Sequence, residues 1–220
     1  MRTATVVLLL GVLAVICTVA MTGCPRQEDR TGQITPSTGP EETPTATGET
    51  GQAEVGEAGA FQWTETPQLA DIPEGQVTGM INGQAFTANT VRLKQSDEET
   101  VLEISDATLE SPTDMIIDDT GLDLRFTATA GQPFTLVLAM GDEKDFDKEH
   151  AYYHYPLPDE GGPMSVNTSW ASALEISEWT LQADPNNADI MGNAKGKVAV
   201  CFNDDAKSWV AGTFDCVYYK

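Results

Sequence analysis

Asn82-Gly83 stands between Gln76-Val77-Thr78-Gly79-Met80-Ile81 and Gln84-Ala85-Phe86-Thr87-Ala88. An Asn-Gly pair between two β-forming runs is a strong hairpin signal, because a type I′ turn places both central residues at positive φ. The same grammar recurs downstream. Residues 90–95 and 100–105 flank Ser96-Asp97-Glu98-Glu99, which reads as a second hairpin. In Leu122-Asp123-Leu124-Arg125-Phe126 the alternation predicts Leu122, Leu124 and Phe126 in the core, with Asp123 and Arg125 in water. Residues 133–140 are nearly all apolar, which predicts a central strand covered on both faces. Further short strands are expected at 115–117, 152–155, 164–170, 173–181, 197–202 and 208–219. The apolar phase of Leu174-Glu175-Ile176-Ser177-Glu178-Trp179-Thr180-Leu181 shifts after Ile176, the mark of a bulge or a change of exposed face. No stretch carries a helical period. The expected fold is all-β, an antiparallel β-sandwich of roughly ten strands, with a closed lipocalin-like barrel as the alternative.

That domain does not begin at the N-terminus. Arg2 precedes an apolar run, residues 6–21, that ends in small residues and Cys24. The run is long enough for a membrane span, but its position, its small-residue end and the absence of a basic stop-transfer cluster read as a signal peptide over 1–23. Met21-Thr22-Gly23-Cys24 resembles the lipobox of bacterial lipoproteins, with Met21 where that family usually has Leu. The resemblance implies cleavage before Cys24 and a diacylglycerol on its thiol, so the membrane becomes a partner through that lipid. It also implies the outer membrane, since Pro25 stands where an Asp would favour retention at the inner one. An uncleaved anchor is the alternative.

Residues 24–66 are Thr, Glu, Gly, Pro, Gln and Ala, with large apolar residues nearly absent before Phe61 and Trp63. Such text cannot bury enough surface to offset the entropy of ordering it, and reads as a disordered acidic tether. Phe61 and Trp63 are candidates to dock on the domain. From Pro67 to Lys220 the 154 residues suffice for one core. They carry nine Lys and Arg against 26 Asp and Glu, a net charge of −17 within the chain's −22. This excludes nucleic acid as a partner, which calls for a basic face. It also speaks against adhesion to anionic lipid.

Candidate chemistry is thin. Cys201 and Cys216 remain after the signal peptide and lipidation, in a compartment that permits a disulfide. A tight hairpin at Asp204-Asp205-Ala206-Lys207 would hold them about 20 Å apart, too far for a bond. The hairpin and the disulfide therefore exclude each other, and both stay open at this point. His150 and His154 lie in Glu149-His150-Ala151-Tyr152-Tyr153-His154-Tyr155. On a strand they share a face about 13 Å apart, and only a helical turn would let them chelate one ion. Residues 141–149 form the densest acid cluster, and Asp142, Asp145 and Asp147 are candidate ligands for Ca²⁺, the candidate cofactor. Asp118, Asp119, Asp184 and Asp189 are further loop acids. Tyr152, Tyr153, Tyr155 and Trp170 are candidates for a sugar-stacking platform. Templates for hydrolases, P-loops, zinc proteases and Rossmann enzymes are missing.

A second resemblance is to secreted bacterial β-domains without an assigned activity: residues 77–86 are similar to their opening and Val210-Ala211-Gly212-Thr213-Phe214 to their closing strand. The expected protein is a lipid-anchored envelope protein, non-catalytic, that binds or interacts with an envelope partner. The alternatives are a calcium-supported domain using acidic loops and a hydrolase of envelope glycan or peptide.

Overall fold

The computed structural model describes residues 61–96, 99–157 and 162–220, all within the unit Ala53–Lys220. The expected signal peptide, Cys24 and the expected tether before Phe61 lie outside the described residues. Among the described residues eleven strands form one sheet: β1 Thr78–Ile81, β2 Gln84–Thr87, β3 Thr90–Ser96, β4 Glu99–Ser105, β5 Gly121–Phe126, β6 Phe134–Leu138, β7 Glu149–Leu157, β8 Gly162–Val166, β9 Trp170–Leu181, β10 Ile190–Phe202 and β11 Trp209–Tyr219. Their order is β6-β9-β10-β11-β3-β4-β5-β7-β8, with the β1–β2 hairpin attached to β11. A three-residue 3₁₀ turn, Leu69–Asp71, is the one helical element among the described residues.

Asn82 and Gly83 have φ of 49° and 73°, which makes the β1–β2 connection the expected I′ hairpin. β1 runs antiparallel to β11, with Thr78 opposite Ala211 and Gly79 opposite Val210. The two stretches that carry the second resemblance are therefore neighbours. At Gly79 a side chain would run into the Trp209 carbonyl. One pair departs from the antiparallel expectation: β3 lies parallel to β11 through Tyr218–Leu93 and Tyr219–Lys94. The hairpin forces this. It reverses β1, so β2 runs with β11, and β3 continues from β2 after only Ala88 and Asn89. The bulge is present as well. Ile176 pairs with Gly196 and Glu178 with Lys195, so Ser177 is the extra residue and Trp179 returns to the buried face.

The sheet is curled and open. β6 and β5 are first and seventh in the order, yet Phe126 and Phe134 stack at 4.8 Å. Likewise Tyr153 of β7 meets Phe202 of β10 edge-on at 5.0 Å. The main core fills the inside of this curl, with Leu122, Leu124 and Phe126 fully buried as expected. Two expectations fail. Residues 133–140 give an end strand rather than a central one: β6 pairs only with β9 and leaves Val137 42% exposed. Met115-Ile116-Ile117 forms no strand. It lies in the β4–β5 loop, with Met115 79% exposed.

A smaller cluster covers the outer face of β9–β11, where Ala173, Ala199, Cys201 and Ala211 are small enough for Phe61, Trp63 and Ile72 to lie on them. Phe61 is 5% exposed, the Trp63 indole donates to the Phe202 carbonyl at 2.8 Å, and Met140 N–H donates to Glu65 O at 2.8 Å. Packing thus reaches six residues upstream of the expected boundary at Pro67.

Candidate functional site

The other half of the outer face, β3-β4-β5-β7, is polar. Cross-strand pairing aligns Arg92 with Glu103, Glu103 with Asp123, and Asp123 with Tyr152. Arg92, nearly buried, donates from Nε to Glu103 Oε2 at 2.5 Å and from a terminal nitrogen to the Pro112 and Asp114 carbonyls. Tyr219 donates to the same Glu103 oxygen at 2.7 Å, and its ring lies under the Arg92 guanidinium at 4.9 Å. Tyr152 donates to Asp123 Oδ2 at 2.5 Å. Burial pushes the Asp123 carboxyl up, and the Glu103 charge adds to this against the Tyr152 hydrogen bond. Tyr152 itself is pushed up to about 12, first by burial and then by Asp123. The expectation that Asp123 faces free water is thereby corrected: its carboxylate is tied to the neighbouring strand.

Ser105, Asp119 and His154 close the row. Ser105 Oγ donates to Asp119 Oδ2 at 2.5 Å, and His154 Nε2 lies 3.1 Å from Asp119 Oδ1. Burial alone would lower His154, but the hydrogen bond to Asp119 and the charges of Asp119, Asp123 and Asp106 outweigh it and raise the imidazole. Burial likewise works to raise Asp119, and is outweighed by His154 and Ser105, so its carboxyl is lowered. A nucleophilic serine must pass its proton to the imidazole. Here the carboxylate stands between hydroxyl and ring, and the serine also accepts the Ala107 N–H at 2.9 Å. The three residues fasten the β4–β5 loop to the sheet beside a cleft of about 550 Å³.

A second cleft, about 620 Å³, is lined by residues of the β6–β7 turn, β7 and the β8–β9 loop. Phe146 lies on it with 69% exposure. Its ring meets His150 at 6.0 Å, and His150 lies 5.8 Å from Tyr152. His150 Nε2 is 3.0 Å from Asn167 Oδ1. Lys144 Nζ sits 5.2 Å over the Trp170 ring and donates to the Ala139 and Met140 carbonyls. Burial lowers this ammonium, against the attraction of Asp142.

The residues singled out from the sequence are distributed as follows. His150 and His154 share the outer face of β7, each with its own partner. Asp142 accepts the Ala139 N–H at 2.7 Å, and Asp145 accepts Lys148 Nζ at 2.6 Å and the Asp147 N–H at 3.2 Å. These carboxylates close turns. Among the described residues no three His, Cys, Asp or Glu side chains converge on a metal position, so the trio Asp142, Asp145 and Asp147 is not gathered for Ca²⁺. Cys201 and Cys216 are free and buried. Cys201 pairs with Trp209 and Cys216 with Ala194, seven ranks apart, or about 23 Å. They also face opposite clusters, so the tight hairpin stands and the disulfide does not. Burial pushes the thiols up to about 11 and about 12. The expected aromatic platform divides: Tyr153 and Tyr155 pack with the core, whereas Tyr152 is outward. Phe146, the one aromatic in the acid-rich turn, takes the outer place, and its isolation among charges was the available signal. Nothing local marked Arg92 or Ser105.

No protein-family model, curated protein or solved structure matches the chain.

Proposed function

We propose that this is a lipid-anchored envelope protein, carried on Cys24 at the outer membrane, whose β-domain binds an envelope partner without catalysing a reaction. The observation that carries the reading is the order Ser105–Asp119–His154. It withholds a general base from the serine, and Glu103 is similarly occupied by Arg92 and Tyr219. The clefts remain, and about 620 Å³ is within the size of ligand sites. We further read the curled sheet as sandwich-like. Its β5–β7 half faces its β6–β10 half through Phe126–Phe134 and Tyr153–Phe202.

Two measurements test this. Cys24→Ser should abolish labelling by a fatty-acid precursor and release the protein from the membrane fraction. Incubating the intact protein with peptidoglycan and envelope polysaccharide should yield no new reducing ends or free amines. Reproducible turnover lost in Ser105→Ala or Asp123→Asn would overturn the non-catalytic reading.

A further inference from the structure

We infer that the cleft between the β6–β7 turn and the β8–β9 loop is a seat for an uncharged saccharide. The inference rests on the binding-module reading and names its ligand class. The rings of Phe146 and His150 line the cleft 6.0 Å apart, and the Tyr152 ring stands 5.8 Å beyond His150 on the outer face, outside the cleft, with the Arg125 guanidinium 5.7 Å over it. Phe146 is 69% exposed, so its ring is open to a ligand that stacks on it. Beside the rings the β8–β9 loop brings Asn167, Thr168 and Ser169 to the same cleft. His150 fixes the Asn167 carbonyl oxygen, which points the amide NH₂ away from the imidazole as a donor. Ring faces for sugar C–H groups, with short uncharged donors and acceptors for hydroxyls, suit a polyhydroxylated ligand.

Charge removes the competing classes. An anion would meet Asp142 and Glu143 in the wall, where the Lys144 ammonium is engaged by the Ala139 and Met140 carbonyls, and a chain of net charge −22. For a cation the favoured position is the face of the tryptophan. That position is already held by Lys144, tied to two carbonyls at 3.0 and 3.2 Å.

The test is calorimetric titration of the intact protein with maltotriose, cellotriose, mannotriose and chitotriose, each to about 10 mM, where binding with a dissociation constant of a few millimolar registers. Tetramethylammonium and inorganic phosphate are the contrasting probes. We expect at least one trisaccharide to bind. Phe146→Ala and Asn167→Ala should each weaken it about tenfold, while Met115→Ala, at an equally exposed apolar position, should change nothing. An unchanged melting temperature in Phe146→Ala shows the fold intact. Binding of no trisaccharide, binding indifferent to both substitutions, or preferential binding of tetramethylammonium or phosphate overturns the inference. Hydrolysis of a bound trisaccharide would instead overturn the non-catalytic reading and leave the seat in place.

Discussion

Phe126 of β5 stacks on Phe134 of β6 with ring planes 15° apart, although five strands separate them in the sheet order. This contact bridges the two halves of the curl. Phe126→Ala should cost about 3–5 kcal/mol, the usual range for emptying a buried phenylalanine site. Phe134→Ala should cost less, because Phe134 is only half-buried. A double-mutant cycle read by urea unfolding should return a coupling of about 0.5–1.5 kcal/mol. Strict additivity would mean the two halves are held by other contacts.

His154 and Asp119 give the domain a pH signature. The raised imidazole contributes stability fully below its unfolded value of about 6.5, and loses it as pH rises through the folded value. The lowered carboxyl contributes above about 3.9, and loses it as pH falls through its folded value. The pair is therefore worth most between about pH 4 and 6.5. The melting-temperature gap between the wild type and His154→Gln should be widest near pH 6 and should narrow by pH 8.5. A gap independent of pH would place the stabilisation elsewhere.

Cys201 and Cys216 should stay reduced and unreactive. Both are buried thiols held well above the usual cysteine range, and thiolate is the reactive form. Iodoacetamide should leave them unmodified in the native protein and label both after urea unfolding. A mass two hydrogens lighter, with no labelling on unfolding, would show the bond that the strand register forbids.

The segment Phe61–Ile72 belongs to the folded domain. A chain starting at Pro67 removes Phe61 from its alanine-lined face and the Trp63 indole from the Phe202 carbonyl. It should be less stable than one starting at Ala53 by about 3–5 kcal/mol, from two aromatic side chains and one hydrogen bond. Equal stability of the two would show that the segment merely rests on the sheet.

Local features of this fold were legible because local rules govern them. Asn82-Gly83 specifies its turn through backbone geometry alone, and the phase slip after Ile176 marks an irregularity that the fold meets with an extra residue, Ser177. Strand order is not local. The residues of β6 are apolar enough for a centre, but alternate only half-buried at an end. The parallel β3–β11 pair follows from how the first hairpin docks. At the candidate sites, Asp123 looked solvated because Tyr152, its partner, arrives 29 residues later. Ser105, Asp119 and His154 come from a strand, a loop and another strand. Only pairing across β4, β5 and β7 joins them.

The most direct measurement locates the ligand. A crystal of the intact protein soaked in whichever trisaccharide binds should show the sugar against Phe146, with a hydroxyl within hydrogen-bond reach of the Asn167 amide and the clamp at Asp119 undisturbed. A sugar seated instead in the Arg92–Glu103 cleft, with the Phe146 cleft empty, would contradict it.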